Sequence, residues 1–417
     1  MHILLIHQVF VRPEDPGGTR HYDFAQHLVD RGHRVTVLAG TRSYLTGERL
    51  AAGRRETPFP GFEIVRCGVL GGRRRGFAWR TIGYFSFMLS SLWAGVRTKK
   101  VDVLWGTSPP IFQAWTAWLL ARLKGKRWLL EVRDLWPEFA IQVGALRNRG
   151  LIRLSEWLEG FLYRHADQIV VNSPGFVEHV QDIRVGSKEV RIVPNGVDLF
   201  GDRRGGAVTN KNSPSAVKDA RSPEALLRET YGLDGKFIAL YAGAHGMAND
   251  LSQILNAAAA LKQDPRIAIV MVGDGPEKIA LQERARAERL NNLIFLPPVE
   301  KASIPVLIAE ADCGIAVLKA IPMFATTYPN KVFDYMAGEL PIVLAIDGAI
   351  RHVVEAAEAG LYVTPGDGAE IGEAIRHLAD DPELAKAMGR KGKSYVETHF
   401  DRQEMAGKME EILLTLS

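Results

Sequence analysis

Along the whole chain, short apolar runs rich in β-branched residues alternate with stretches of helical period. In the first half the runs are HILLIH, RVTVLAG, FEIVRCG, VDVLWG, RWLLEVR, QIVVNS and VRIVPNG; in the second they are KFIALYAG, IAIVMVG, LIFLPPV, CGIAVLK, LPIVLAI and GLYVTP. Runs this continuous predict strands covered on both faces, and segments such as LSQILNAAAALKQ and GPEKIALQERARAERL predict the helices between them, a pattern that specifies parallel sheets. Residues 201–222, GDRRGGAVTNKNSPSAVKDARS, carry no apolar period and read as an exposed connection.

The predicted fold class is therefore α/β, with two Rossmann-like, doubly wound parallel-sheet domains in tandem. The first spans residues 1–200, a flexible linker follows over 201–222, the second spans 223–395, and a helix over 396–417 is expected to pack back on the first domain. Length agrees, since 417 residues exceed what one core usually supports. Ligands of such sheets bind beyond the carboxyl ends of the strands, so the site is expected in the cleft of two facing domains.

Composition narrows the class. At 47% hydrophobic and 24% charged the chain is of ordinary soluble type, without collagen-like or low-complexity bias. Cys67 and Cys313 lie too far apart in sequence for a disulfide framework or a ligand spacing, which suits a reducing compartment. MHILLIHQVF lacks a cationic leader and reads as a first buried strand, so a cytoplasmic location is expected.

The net charge of +4 hides an asymmetry: residues 1–150 carry 23 Lys and Arg against 11 Asp and Glu, and the rest carry 29 against 37. The basic part includes Arg73, Arg74 and Arg75, followed by Phe77, Trp79 and a stretch over 81–96 without a charge. These 16 residues fall short of the roughly 20 that a spanning helix needs. PPIFQAWTAWLLARLKGKR ends in the same basic manner. Two readings stay open, buried helices or an interfacial surface whose aromatic side chains enter lipid while Arg and Lys meet headgroups. No nucleic-acid module accompanies the patch, so nucleic acid is not an expected partner.

Chemistry concentrates in residues 326–338, TTYPNKVFDYMAG. Pro329 cannot continue a helix backwards, Asn330 is a good N-cap, and Val332, Phe333 and Met336 share one helical face. Lys331 then falls in the first helical turn, where a cation makes sense if an anion sits between it and the dipole. Asp334 lies at i+3, reachable from the same site. The alternative is an ordinary solvated Lys/Asp pair.

Other motifs end strands in the same way. Gly17 and Gly18 follow the first strand, and GHRV, EVRDLWPE, VVNSPG, PNGVD, YAGAHG, VGDGPE and PNKVFDYMAG come in order after them. In order and spacing the series resembles the retaining, nucleotide-sugar-dependent glycosyltransferases of GT-B fold called family 4, over almost the whole chain. EVRDLWPE and PNKVFDYMA resemble the branch that builds bacterial surface polysaccharides, including N-acetyl-fucosamine and other amino-sugar transferases.

The resemblance implies a donor site formed by Gly17, Gly18, Gly243, His245, Val299, Tyr328, Asn330, Lys331 and Asp334. Lys331 would face the diphosphate, Asp334 the ribose, and Val299 the base through backbone groups. The family's first acid falls on Thr326, a departure, and its basic pair falls near Ala244 and Asn249, where no cation stands. Arg133 and Asp134 occupy a position near the sugar that is His-Asp in many relatives; they could equally be an internal ion pair. Glu138 could touch the acceptor or cap a helix. The implied reaction is transfer from a nucleoside-diphosphate sugar, expected to be a UDP-linked amino sugar, to a lipid-linked saccharide at an anionic membrane surface. Lys331, Arg133, Asp134 and Thr326 are the candidate catalytic residues. No cofactor or metal is expected, because no Asp-x-Asp or His/Cys ligand cluster occurs. An epimerase of similar fold and a non-catalytic sugar-nucleotide-binding protein are the rivals.

Overall fold

The computed structural model describes residues 1–13, 15, 17–42, 50, 53–70, 77–184, 189–199 and 227–417. The linker over 201–222 and Arg73, Arg74 and Arg75 lie outside the described residues. The chain forms two compact units: the first is built from Met1–Pro13, Gly17–Asn195 and Arg402–Ser417, and the second on Gly196–Asp401.

The first unit has strands β1 (His2–Ile6), β2 (Arg34–Gly40), β3 (Arg55–Phe59), β4 (Phe62–Cys67), β5 (Val103–Ser108), β6 (Trp128–Val132), β7 (Gln168–Val171) and β8 (Val190–Ile192). They form one sheet in the order β3-β4-β2-β1-β5-β6-β7-β8. Every neighbouring pair is parallel except β3, which runs antiparallel to β4. The apolar runs predict seven of these strands. RETPF, by contrast, is largely solvent-facing and contains Pro58, which a sheet tolerates at an edge, so it carries no strand signal.

Helices α1 (Arg20–Asp30), α2 (Phe77–Arg97), α3 (Ile111–Lys124), α4 (Glu138–Gln142), α5 (Arg149–His165) and α6 (Val177–Arg184) connect them. Alternation along each strand separates two cores. Phe87, Leu120 and Leu162 bring α2, α3 and α5 onto one face of the sheet. Phe24 of α1 lies on the other, together with Met405, Met409 and Leu413 near the end of the chain. Only the inward side of α2 is buried, through residues such as Phe87; Trp79, Ile82, Phe85, Leu89, Trp93 and Val96 are 40–64% exposed.

The second unit opens with α7 (Leu227–Thr230) and then alternates β9 (Phe237–Ala242), α8 (Ser252–Ala260), β10 (Ile267–Val272), α9 (Lys278–Ala287), β11 (Leu293–Leu296), α10 (Ile304–Glu310), β12 (Cys313–Val317), α11 (Asn330–Ala337), β13 (Ile342–Ala345), α12 (Ala349–Ala356), β14 (Gly360–Tyr362) and α13 (Gly368–Asp380). Its sheet is parallel throughout, in the order β11-β10-β9-β12-β13-β14. β9, at the centre, and β10 beside it are fully covered apart from the first residue of β9, which is why their sequences are apolar without alternation.

Residues 396–417 are not one helix. α14 (Pro382–His399) stops at Phe400, which is buried in the second unit, and α15 (Arg402–Leu414) starts two residues later in the first. Val197 donates to the Phe400 carbonyl at 2.9 Å, so the two segments that leave the second unit are bonded to each other. α15 is fixed on α1 by Arg402, which donates to Thr19 Oγ1 at 3.0 Å and to Asp23, and by Glu410, which lies 2.9 Å from His33 and 3.4 Å from both His27 and Arg31.

Candidate functional site

In the second unit, three chain segments meet where β9 and β10 end and α11 begins. Pro329, not Asn330, is the N-cap of α11, with an extended ψ of 123°; Asn330 is already helical. Lys331 follows, and its Nζ lies 4.0 Å from the centroid of the Tyr241 ring and 3.4 Å from Asn249 Oδ1. It makes no ion pair among the described residues. Burial without a counter-charge pushes its ammonium down to about 7.

Glycines make this meeting possible. A Cβ on Gly243 would stand 3.2 Å from Lys331 Nζ. At Gly273, whose φ is +143°, a Cβ would come within 1.9 Å of the Gly243 carbonyl oxygen, and at Gly275 within 2.3 Å of the His245 oxygen. YAGAHG and VGDGPE therefore press backbone on backbone, a closeness that any side chain would break. His245 donates its amide to Asp274 O at 2.8 Å and accepts from the Glu277 amide at 3.0 Å. Its side chain is fully buried and neither ring nitrogen has a hydrogen-bond partner among the described residues. Burial, with Lys278 second, lowers the imidazole to about 4, so it is neutral at pH 7.

Asp334 does not turn toward Lys331. It is paired with Lys301 at 2.7 Å, and both side chains are mostly covered. Val299, in the same loop as Lys301, is half-buried against the core. Tyr328 is set among Phe333 and Phe400, at ring distances of 5.5 and 6.1 Å, and so belongs to packing rather than to the group around Lys331. Thr326 closes a short helical turn by donating to the Met323 carbonyl at 2.6 Å.

The first unit holds a buried ionic knot that the strand pattern does not announce. Glu131, on β6, is fully buried; Arg20 donates to it at 2.8 Å, His21 lies at 2.7 Å and the Trp105 indole donates at 3.0 Å. Arg20 also donates to the carbonyls of Val193 and Pro194. His7 stacks on His21 at 4.1 Å and bonds Thr107 at 2.9 Å. Burial raises the Glu131 carboxyl, but His21 and Arg20 outweigh it and hold the group ionised, below the usual carboxylate range. Burial takes His21 down to about 4 despite Glu131, leaving it neutral. The only sequence signal was a lone acid among the apolar residues of β6, WLLEV.

Next to this knot, Arg133 keeps its Nε buried without a hydrogen-bond partner among the described residues. Asp134 is exposed, and the neighbouring Arg133 guanidinium favours its charged form. The two do not form an ion pair among the described residues. Gly17, at φ +138°, and Gly18 precede α1. Glu138 is the first residue of α4 and is bonded by Gln142 one turn on. Phe77 opens α2 at its backbone, its side chain lying outside the described residues, and Trp79 is 40% exposed. No group of three or more His, Cys, Asp or Glu among the described residues is placed to hold a metal ion.

The structure thus gathers Gly243, His245 and Lys331 at one point and separates Asp334, with Lys301, from them. Lys301 and Lys278 were missed by the sequence reading; Lys278 donates to the carbonyls of Gly273 and Leu296 at 2.6 and 2.8 Å, tying the loop after β10 to the end of β11.

Two family descriptions match the chain: Glycosyl transferase 4-like domain over residues 17–196, and Glycosyl transferases group 1 over residues 224–395. The chain is 25% identical over 343 residues to WcaI of Escherichia coli, a chain named for colanic acid biosynthesis, covering 80% of this chain and 81% of that one. Among solved structures it is similar to sucrose-phosphate synthase from Thermosynechococcus elongatus, with TM-score 0.76, 17% identity, and coverage of 100% and 98% of the two chains. It is also similar to HepE of Anabaena in complex with UDP-glucose, with TM-score 0.69, 17% identity and full coverage of both chains.

Proposed function

Because the chain belongs to the family-4-type glycosyltransferases of GT-B fold, we propose that it moves a sugar, with retention, from a UDP-linked donor to a lipid-linked saccharide in surface-polysaccharide synthesis. The observation that carries the donor half is Lys331: a half-buried lysine with no carboxylate partner among the described residues, at the start of a helix, facing strand ends freed of side chains by glycine. Such a group is costly unless an anion arrives, and a leaving diphosphate is that anion. The UDP-glucose in HepE supports a uridine donor, and the name of WcaI supports a surface polysaccharide.

In this reading Lys331 and the first amides of α11 receive the charge that develops on the departing phosphate, and no divalent ion is needed. The leaving phosphate takes the acceptor proton while the acceptor attacks from the same face. Asp334, oriented by Lys301, accepts from the ribose diol. Thr326 keeps its turn and takes no chemical step.

The acceptor half rests on α2, whose outward face presents Trp79, Phe85, Leu89 and Trp93 to solvent behind the basic run Arg73, Arg74 and Arg75. No described helix is long and apolar enough to cross a membrane, so attachment would be peripheral, at the cytoplasmic face. The test is transfer of label from UDP-hexoses and UDP-N-acetylhexosamines to a polyprenyl-diphosphate-linked sugar, with product anomers read by NMR. Turnover only with a soluble acceptor overturns the lipid-linked assignment, and an inverted anomer overturns retention.

A further inference from the structure

Helix α5 carries a second exposed apolar face, which the reading above does not use. Leu151, Leu154 and Trp157 are 43, 58 and 58% exposed and follow one another at i+3, so they form one stripe. Exposed arginines stand at 147, 149 and 153, and Arg164 at the far end. A helix with this division lies flat in an interface rather than crossing it.

The stripe is not isolated. From Trp157 a path of rings leads inward to α3: Phe161 stacks on it at 5.6 Å, Trp118 meets Phe161 at 4.8 Å, and Trp115 meets Trp118 at 6.0 Å. On the other side of α3, Phe112 meets Phe85 of α2 at 4.9 Å. All three helices cover the same face of the sheet. Their outward sides therefore make one surface of Trp, Phe and Leu, larger than the scattered apolar residues an ordinary monomer exposes. Its margins are cationic. Arg97 lies over the Trp93 ring at 3.8 Å, Arg122 and Lys124 lie in the last turn of α3, and Lys126 and Arg127 follow it. Asp102 is the only acid between residues 77 and 130. Cations at the rim with aromatic rings between them match an anionic lipid surface, where rings settle at headgroup depth.

We infer that α5 is a second in-plane anchor, so that α2, α3 and α5 together rest on an anionic membrane. This rests on the peripheral attachment proposed for α2, and the two can be tested apart. Cys67 and Cys313 are buried, so a thiol-reactive environment-sensitive dye reports an introduced cysteine alone. Trp157→Cys on α5, Leu89→Cys on α2 and Lys408→Cys on the opposite face of the sheet are labelled and titrated with vesicles of phosphatidylglycerol and phosphatidylcholine. Blue-shifted emission at 157 and 89 but not at 408 is the expected result, and Leu154→Ser with Trp157→Ser should lower the vesicle-bound fraction about tenfold. A shift at 89 alone overturns the role of α5 and leaves α2 as the anchor. No shift at either site overturns both. A shift at 157 on raising protein concentration without vesicles assigns the stripe to a second copy of the chain and overturns the inference.

Discussion

Lys331 Nζ stands 4.0 Å from the centre of the Tyr241 ring, and no carboxylate among the described residues pairs with it. A tyrosine face is a weak partner for an ammonium, so the site is set against its own lysine until an anion enters. Lys331→Met should separate the two effects. Affinity for UDP and for pyrophosphate should both fall by about 2–4 kcal/mol, the scale of one preorganised charge contact. The ligand-free protein should melt higher than wild type. The folded value of about 7 lies below the ordinary lysine value of 10.5, so the unfolded chain holds the extra proton between them and wild-type stability rises with pH across that window. The advantage of the variant should be greatest below pH 7 and shrink toward pH 10. Calorimetry from pH 6 to 10 checks this, and unchanged UDP affinity removes Lys331 from the donor site.

Asp334 should act on the ribose alone. Asp334→Ala is expected to weaken UDP by about tenfold to a hundredfold, the value of a hydrogen bond to a charged group, and to leave inhibition by pyrophosphate unchanged. Lys301→Ala should follow it in direction with a smaller effect, because the carboxylate survives without its 2.7 Å partner. Equal losses for UDP and pyrophosphate would move Asp334 to the phosphates.

Chelation is expected to leave turnover unchanged, since Lys331 and helix amides take the part a divalent ion has elsewhere. Loss of activity in EDTA, restored by Mg²⁺ or Mn²⁺, would contradict this account of the phosphate site.

The knot around Glu131 should govern acid stability. Glu131→Ala leaves Arg20 buried beside two carbonyls without its counter-ion, and about 3–5 kcal/mol is the scale of such a loss. In wild type, His21 is lowered from 6.5 to about 4, so the unfolded chain binds the extra proton between these values and stability falls as pH falls through them. The depressed Glu131 contributes stability above 4.5 that is lost further down. Read in the Lys331→Met background, which removes the slope above pH 7, melting temperature should be flat from pH 8 to 7 and decline from about 6.5.

Arg73, Arg74 and Arg75 changed together to Ser should reduce co-sedimentation with anionic vesicles at low salt, since each basic residue near such a surface contributes on the order of 1 kcal/mol. Equal, negligible binding by wild type and variant at low and high salt would point to a soluble acceptor.

Strands were legible in the sequence because parallel sheets buried on both faces need continuous apolar runs, and β9 and β10 show nothing else. β3 was illegible because an edge strand needs no such run. Lys331 was legible from Pro329 and the helical period after it. Its true neighbours were not: Tyr241 looks like any buried strand residue, and Lys301 pairs with Asp334 across 33 positions. Glu131 was visible as a misfit but gave no hint of Arg20 or His21, which lie 111 and 110 positions away. Local pattern reports what a residue's own element requires, and these contacts are made between elements.

The return of the chain at Arg402 has a practical meaning for exchange between relatives. Met405, Ala406, Met409 and Leu413 cover one side of the first sheet, so a fragment ending near residue 200 would leave Phe24 and Leu28 without their cover. A chimaera that takes its first unit from one enzyme and its second from another should carry the last sixteen residues, 402–417, with the first piece; the heritable module is the discontinuous unit, not the linear half.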